Sequence, residues 1–245
     1  MGSVFKRAAA FKKSYASPLK RNIVALIFYE PSSRTFGSFA TAVKRLGGQT
    51  LEFPNPKVTS SVVKGETLAD TVRVLANYAD AIVIRHPEVG AAREAAFFSP
   101  VPVINAGDGI GEHPTQALLD MFTIQEKTKS LNGLKGVMVG DLKNGRTIHS
   151  LLTGLSYFKK NTMYLLSPKS LKLEQSFVSS LKSKINLIEI TKDSEIPPDC
   201  DFWYWTRVQK ERFADEKEYE RTKHAFVITP KLVASRAGKK TLIMH

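Results

Sequence analysis

A chain of 245 residues with 42% hydrophobic and 24% charged residues can bury a core in one large domain or in each of two modest ones, and its composition is that of an ordinary globular protein. Its single cysteine excludes an intrachain disulfide and fits a reducing compartment, and no stretch approaches the roughly 18 apolar residues of a membrane span. The net charge of +13 comes from basic residues spread along the whole chain, without zinc-ligand spacing or an RNA-binding signature, which argues for small anions and against a nucleic-acid surface.

In chain order, residues 22–29 read as an apolar strand. A helix over 33–46 follows, with Phe36, Phe39, Val43 and Leu46 on one face and Gly47 as its stop. Residues 65–78 read as a second helix, striped by Leu68, Val72 and Leu75. Short strands at 80–84 and 101–105 come next. The helix over 114–127 opens with Pro114, whose fixed φ and missing donor suit a first turn. Polar residues at 128–132 mark a boundary, dividing the chain into expected domains 1–128 and 129–245. The second domain repeats the alternation: a strand at 136–140, a helix over 146–158, a strand at 162–166, a polar helix over 170–184, and strands at 185–190, 201–205 and 241–245. This order predicts an α/β fold of two lobes, each a mainly parallel β-sheet flanked by helices.

Polar residues collect just after the strands. Ser32, Ser33, Arg34 and Thr35 follow the first strand, and Arg85 and His86 follow the strand at 80–84. Asp141 to Arg146 follow 136–140, and Thr206, Arg207 and Gln209 follow 201–205. In open α/β sheets, ligands bind beyond the carboxyl ends of the strands. Hydroxyls, guanidinium groups and an amide at that edge suit anions with several oxygens.

Each motif has a plainer alternative. A helix start at Ser32 to Thr35 would bind phosphate through free N–H groups and the Arg34 fork, but Ser32 or Ser33 alone could be only a helix cap. Ser60 and Lys64 suit a loop closing over an anion, or a solvated loop before a helix. His113 and Gln116 share one face of a first turn, where a neutral imidazole could donate to a developing oxyanion; the alternative is a capping histidine. Gly140 to Thr147 has phosphate-loop spacing but carries Arg146 in place of the lysine, so a nucleotide site ranks below a carboxylate or phosphate clamp at Arg146. Arg207 and Gln209 point the same way in extended chain and could hold a carboxylate, or could simply line an exposed strand exit.

Taken together and in order, Ser32-Ser33-Arg34-Thr35, Lys64-Gly65-Glu66-Thr67, His113-Pro114-Thr115-Gln116 and Thr206-Arg207-Val208-Gln209 resemble the catalytic chains of aspartate transcarbamoylases. The resemblance runs from about Val4 to His245 and includes Ile84-Arg85-His86-Pro87, Asn105 to Gly109 and Phe122 to Glu126. It implies the aspartate/ornithine carbamoyltransferase fold and transfer of a carbamoyl group from carbamoyl phosphate to the amine of L-aspartate, a step of pyrimidine biosynthesis. Carried over, Ser32, Ser33, Arg34, Thr35, Arg85, His113 and Gln116 bind carbamoyl phosphate, with Thr35, Arg85 and His113 polarising its carbonyl. Lys64, Arg146, Arg207 and Gln209 bind aspartate, and Ser60 and Lys64 reach in from a neighbouring subunit. The resemblance further implies a homotrimer in the cytoplasm, with no metal, no cofactor, no nucleic acid and no membrane, and it leaves room for regulatory chains.

Family chains carry a Pro-Leu-Pro-Arg segment and a helix beyond the position of His245, so the sequence reads as shortened at both ends, with weak activity expected. An anion-binding or assembly subunit of the same fold without catalysis is the alternative.

Overall fold

The computed structural model describes residues 1–14, 17–56, 65–207, 219–220 and 226–245. They divide into two compact units, Met1–Thr115 and Gln116–His245.

In the first unit, α1 (Gly2–Phe11) precedes β1 (Ile23–Phe28), α2 (Ser33–Arg45) and β2 (Gln49–Phe53). Then come α3 (Leu68–Leu75), β3 (Ala81–His86), α4 (Ala91–Phe98) and β4 (Val103–Asp108). The strands form one parallel sheet in the order β2-β1-β3-β4. Both faces of β1 and β3 are covered, which is why their sequences are nearly unbroken apolar runs. Ala25, Ile27, Ile82 and Ile84 pack with Val72 and Leu75 of α3 on one face. Val24, Leu26, Phe28 and Val83 pack with Val43, Phe36 and Phe39 of α2 on the other. Val43 of the first expected stripe and Val72 and Leu75 of the second are buried there, with Phe36 and Phe39 half-buried beside Val43, while Leu46 lies outside the cluster.

In the second unit, α5 (Pro114–Thr128), which opens at the division, is followed by β5 (Lys135–Val139), α6 (Arg146–Leu155) and β6 (Thr162–Leu166). Next are α7 (Gln175–Leu181), β7 (Asn186–Ile190), β8 (Phe202–Trp205), α8 (Pro230–Arg236) and β9 (Leu242–Met244). Its sheet is also parallel, in the order β7-β6-β5-β8-β9. One face buries Val137, Val139, Trp203 and Trp205 with Ile196 and Cys200. The helix expected over 170–184 is instead a 3-10 turn at Lys169–Leu171, extended backbone at Lys172, and α7. Among the described residues, no helix is long and apolar enough to cross a membrane.

Candidate active site

At the carboxyl edge of the first unit's sheet, Phe28 pairs in register with Arg85, so β1 and β3 end side by side. The Tyr29 N–H donates to the Arg85 carbonyl at 2.8 Å and extends the pairing by one residue. The chain then turns into α2, whose cap residue Ser32 is extended (φ −162°) and makes no side-chain cap hydrogen bond. The Ser32 carbonyl accepts from Phe36 N–H at 2.9 Å. No acidic residue sits in the first turn, so the positive end of the helix is not neutralised there. Ser33 and Arg34 are exposed at this end and Thr35 is half-buried. The hydroxyl that could have been only a cap is not one.

Arg85 is 7% exposed, an unusual state for a guanidinium, which must be paired to sit there. Its Nη1 donates to the Ala106 carbonyl at 3.3 Å, and its Nη2 lies 2.7 Å from a Glu30 carboxylate oxygen. Glu30 is the more open partner.

The turn after β4 is built on Asp108. One carboxylate oxygen accepts from Gly90 N–H at 2.9 Å, the other from Glu112 N–H at 2.8 Å and from Asn105 Nδ2 at 3.2 Å. Gly109 (φ +52°) donates its N–H to the His86 carbonyl, and a Cβ there would run into the Pro87 carbonyl oxygen. This turn delivers His113, buried, to the start of α5. His86 itself is structural: its Nδ1 accepts from Glu88 N–H and its ring packs edge-on against Tyr29 at 4.6 Å. An aspartate between two glycines at a strand exit is the one signal of this role that the sequence carries.

In the second unit, β5 and β8 end together through the Val139–Trp205 pair. The Val139 carbonyl accepts from both Thr206 N–H (2.8 Å) and the Thr206 hydroxyl (3.0 Å). Gly140 (φ +110°) permits this approach, because a Cβ would collide with the Thr206 carbonyl. Arg207 therefore leaves the sheet, exposed, from a strand end locked to the one that leads to Arg146.

The loop before Arg146 is folded on buried Asp141, which accepts from Asn144 N–H at 2.9 Å and from its side-chain amide. The N–H groups of Leu142 and Lys143 donate to the Leu171 carbonyl, and that of Arg146 donates to Asn144. A phosphate cradle needs those N–H groups turned toward the ligand. They are consumed instead by the Leu171 and Asn144 carbonyls and the Asp141 carboxylate, so the phosphate-loop spacing does not make a nucleotide site.

Gln116, in the first turn of α5, donates through Nε2 to Asp120 Oδ1 at 2.9 Å. Tyr204 of β8 donates its hydroxyl to Asp120 Oδ2 at 3.0 Å. Burial pushes the Asp120 carboxyl up to about 6, against hydrogen bonds from Gln116 and Tyr204 that pull it down. Burial and the facing carboxylate push the Tyr204 phenol up. Neither residue was singled out from sequence, although Gln116 and Asp120 have the i,i+4 spacing of helix neighbours.

Arg85, His113 and the Ser32–Thr35 turn thus share one sheet edge, and Arg146 and Arg207 share another. Ser60, Lys64 and Gln209 lie outside the described residues.

Two family models divide this chain between them. Residues 1–126 match the carbamoyl-phosphate-binding domain of aspartate/ornithine carbamoyltransferases, and residues 132–245 match the aspartate/ornithine-binding domain. This chain belongs to the aspartate/ornithine carbamoyltransferase family. The aspartate carbamoyltransferase catalytic subunit of Methanocaldococcus jannaschii is 50% identical over 228 residues, covering 93% of this chain and 73% of that one. A structure of the catalytic subunit of the M. jannaschii aspartate transcarbamoylase superposes with a TM-score of 0.87 at 46% identity, over 98% of this chain and 77% of that one. Aspartate transcarbamoylase from Trypanosoma cruzi, solved with carbamoyl phosphate and aspartate, gives a TM-score of 0.87 at 36% identity, over 99% and 78%. The carbamoyltransferase fold expected from the sequence is therefore the fold of this chain, two parallel sheets flanked by helices.

Proposed function

We propose that this chain is an aspartate carbamoyltransferase, joining carbamoyl phosphate and L-aspartate into N-carbamoyl-L-aspartate and phosphate. The observation that carries the reading is buried Arg85 at the same sheet edge as the uncapped, acid-free start of α2. A buried guanidinium and a helix N-terminus are two independent devices for one anion.

Ser32, Ser33, Arg34, Thr35 and Arg85 hold the phosphate. Thr35, Arg85 and His113 donate to the carbamoyl oxygen, whose charge grows as the aspartate amine attacks the carbonyl carbon. The C–N bond forms, the tetrahedral intermediate collapses, and the C–O bond to phosphate breaks. The departing phosphate is itself a base strong enough to take the amine proton. Gln116 orients the carbamoyl amide. Arg146, Arg207 and Gln209 take the two carboxylates of aspartate, and Ser60 and Lys64 come from a neighbouring subunit. Two guanidinium groups favour a dicarboxylate over ornithine, whose side chain is cationic. Much of the rate comes from holding two mutually repelling anions in one orientation.

The assembly is a homotrimer in the cytoplasm, with residues 1–128 serving carbamoyl phosphate and 129–245 serving aspartate. The single cysteine supports a reducing compartment. Calorimetric titration with N-phosphonacetyl-L-aspartate, which joins both anions in one molecule, tests the site. Tight binding that Arg34→Ala abolishes supports it; a folded chain that binds nothing refutes it.

A further inference from the structure

Asp120 is 3% exposed and Tyr204 2% exposed, and the two groups that donate to the Asp120 carboxylate, the Gln116 amide and the Tyr204 hydroxyl, are both neutral. A carboxylate in that setting opposes folding, since burial favours its neutral form. An apolar side chain of similar size would fit a core position on α5 better. The chain nonetheless carries an acid there, and both its oxygens accept, from Gln116 Nε2 and from the Tyr204 hydroxyl, hydrogen bonds that favour the ionised form against burial.

An ionised carboxylate only accepts hydrogen bonds. It therefore decides how the Gln116 amide lies: Nε2 faces Asp120 at 2.9 Å, and Oε1 is the end left for anything else. Gln116 thus meets a substrate as an acceptor, matched to the N–H groups of a carbamoyl amide and not to its oxygen. The other carboxylate oxygen takes the Tyr204 hydroxyl at 3.0 Å, and the Thr147 hydroxyl hydrogen-bonds to Tyr204 in turn. Thr147 adjoins Arg146 at the start of α6, and Tyr204 lies on the strand that leads to Arg207. One acceptor therefore ends a chain of donors, from Thr147 to Tyr204 to Asp120, that ties the start of α6 to β8 and α5.

We propose that Asp120 is a positioning residue of the carbamoyl transfer: it fixes the Gln116 amide with its oxygen toward substrate and, through Tyr204 and Thr147, anchors the segments that present Arg207 and Arg146. This rests on the carbamoyltransferase reading above.

The test is steady-state kinetics with carbamoyl phosphate and L-aspartate on wild type, Asp120→Asn, Gln116→Ala and the double variant. Asparagine keeps the shape but brings its own N–H donors, so the amide of Gln116 loses its fixed sense. The expected fall in kcat for Asp120→Asn is about 10- to 100-fold, the cost of a misplaced reacting group. The share of the role that runs through Gln116 makes the losses non-additive: the loss in the double variant should fall short of the product of the two single losses. Full multiplication of the two losses, or an unchanged kcat in Asp120→Asn, overturns the inference. If Asp120→Asn does not fold, Tyr204→Phe removes a single donor from the same oxygen, and a kcat equal to wild type then overturns it. Wild type that turns over nothing removes the carbamoyltransferase reading and this inference with it, whereas an active wild type beside an equally active Asp120→Asn removes this inference alone.

Discussion

Arg85 and Glu30 form an ion pair of 2.7 Å at the carboxyl edge of the first sheet, with the arginine buried and the glutamate partly open. Glu30 belongs to the turn into α2, so the carboxylate stands where the Ser32–Thr35 turn begins. A dianion approaching Arg85 meets that carboxylate as a competitor.

Glu30→Gln should therefore bind inorganic phosphate more tightly than wild type, by about 10-fold, because a like charge near the anion is removed. The same change should lower the melting temperature of the unliganded chain, since a buried guanidinium loses its counter-charge. Calorimetry and thermal melts check both; weaker phosphate binding would mean that Glu30 assists the anion.

Gly140→Ala places a Cβ against the Thr206 carbonyl in a backbone conformation (φ +110°) that side chains avoid. The expected loss is about 3 kcal/mol or more of unfolding free energy in urea. Aspartate binding should suffer more than phosphate binding, because the strand end that carries Arg207 must shift. Equal losses for both ligands would count against that link.

The fold was legible because parallel strands covered on both faces leave nearly continuous apolar runs, as in β1 and β3. β2 was missed because only one edge supports it and its residues are exposed or half-buried. α4 was missed because alanine and phenylalanine gave no clear stripe, and it starts after Gly90 in a left-handed turn. The cationic residues at the strand ends were legible by their position after apolar runs. Asp108, Asp120 and Tyr204 were not, since their meaning lies in hydrogen bonds between residues distant in sequence, such as the 84 positions separating Asp120 from Tyr204.

Stability should carry a signature of Asp120 in mild acid. Its carboxyl is raised from 3.8 to about 6 in the folded chain, so between those values the folded state holds a proton that the unfolded chain has released. This contribution is present at low pH and lost as pH rises through 6. Asp70, Glu52, Glu195 and Asp199 are lowered, chiefly by hydrogen bonds, and slope the other way. Subtracting the curve of Asp120→Asn from that of wild type isolates the one group. The difference should fall with pH up to about 6 and then level off; a flat difference would contradict the burial.

Cys200 is buried, and burial pushes its thiol up to about 12. Ellman's reagent at pH 8 should leave the folded chain unmodified and label one thiol per chain in denaturant. Rapid labelling of the folded chain would show that the core around Trp203 and Trp205 opens readily.

The reaction itself is tested by supplying carbamoyl phosphate with either L-aspartate or L-ornithine and following the carbamoylated product. N-carbamoyl-L-aspartate should form, with release of one phosphate per product and no detectable citrulline. A folded chain that forms neither product would contradict it and leave an anion-binding subunit of the same fold, and citrulline alone would reverse the choice of acceptor.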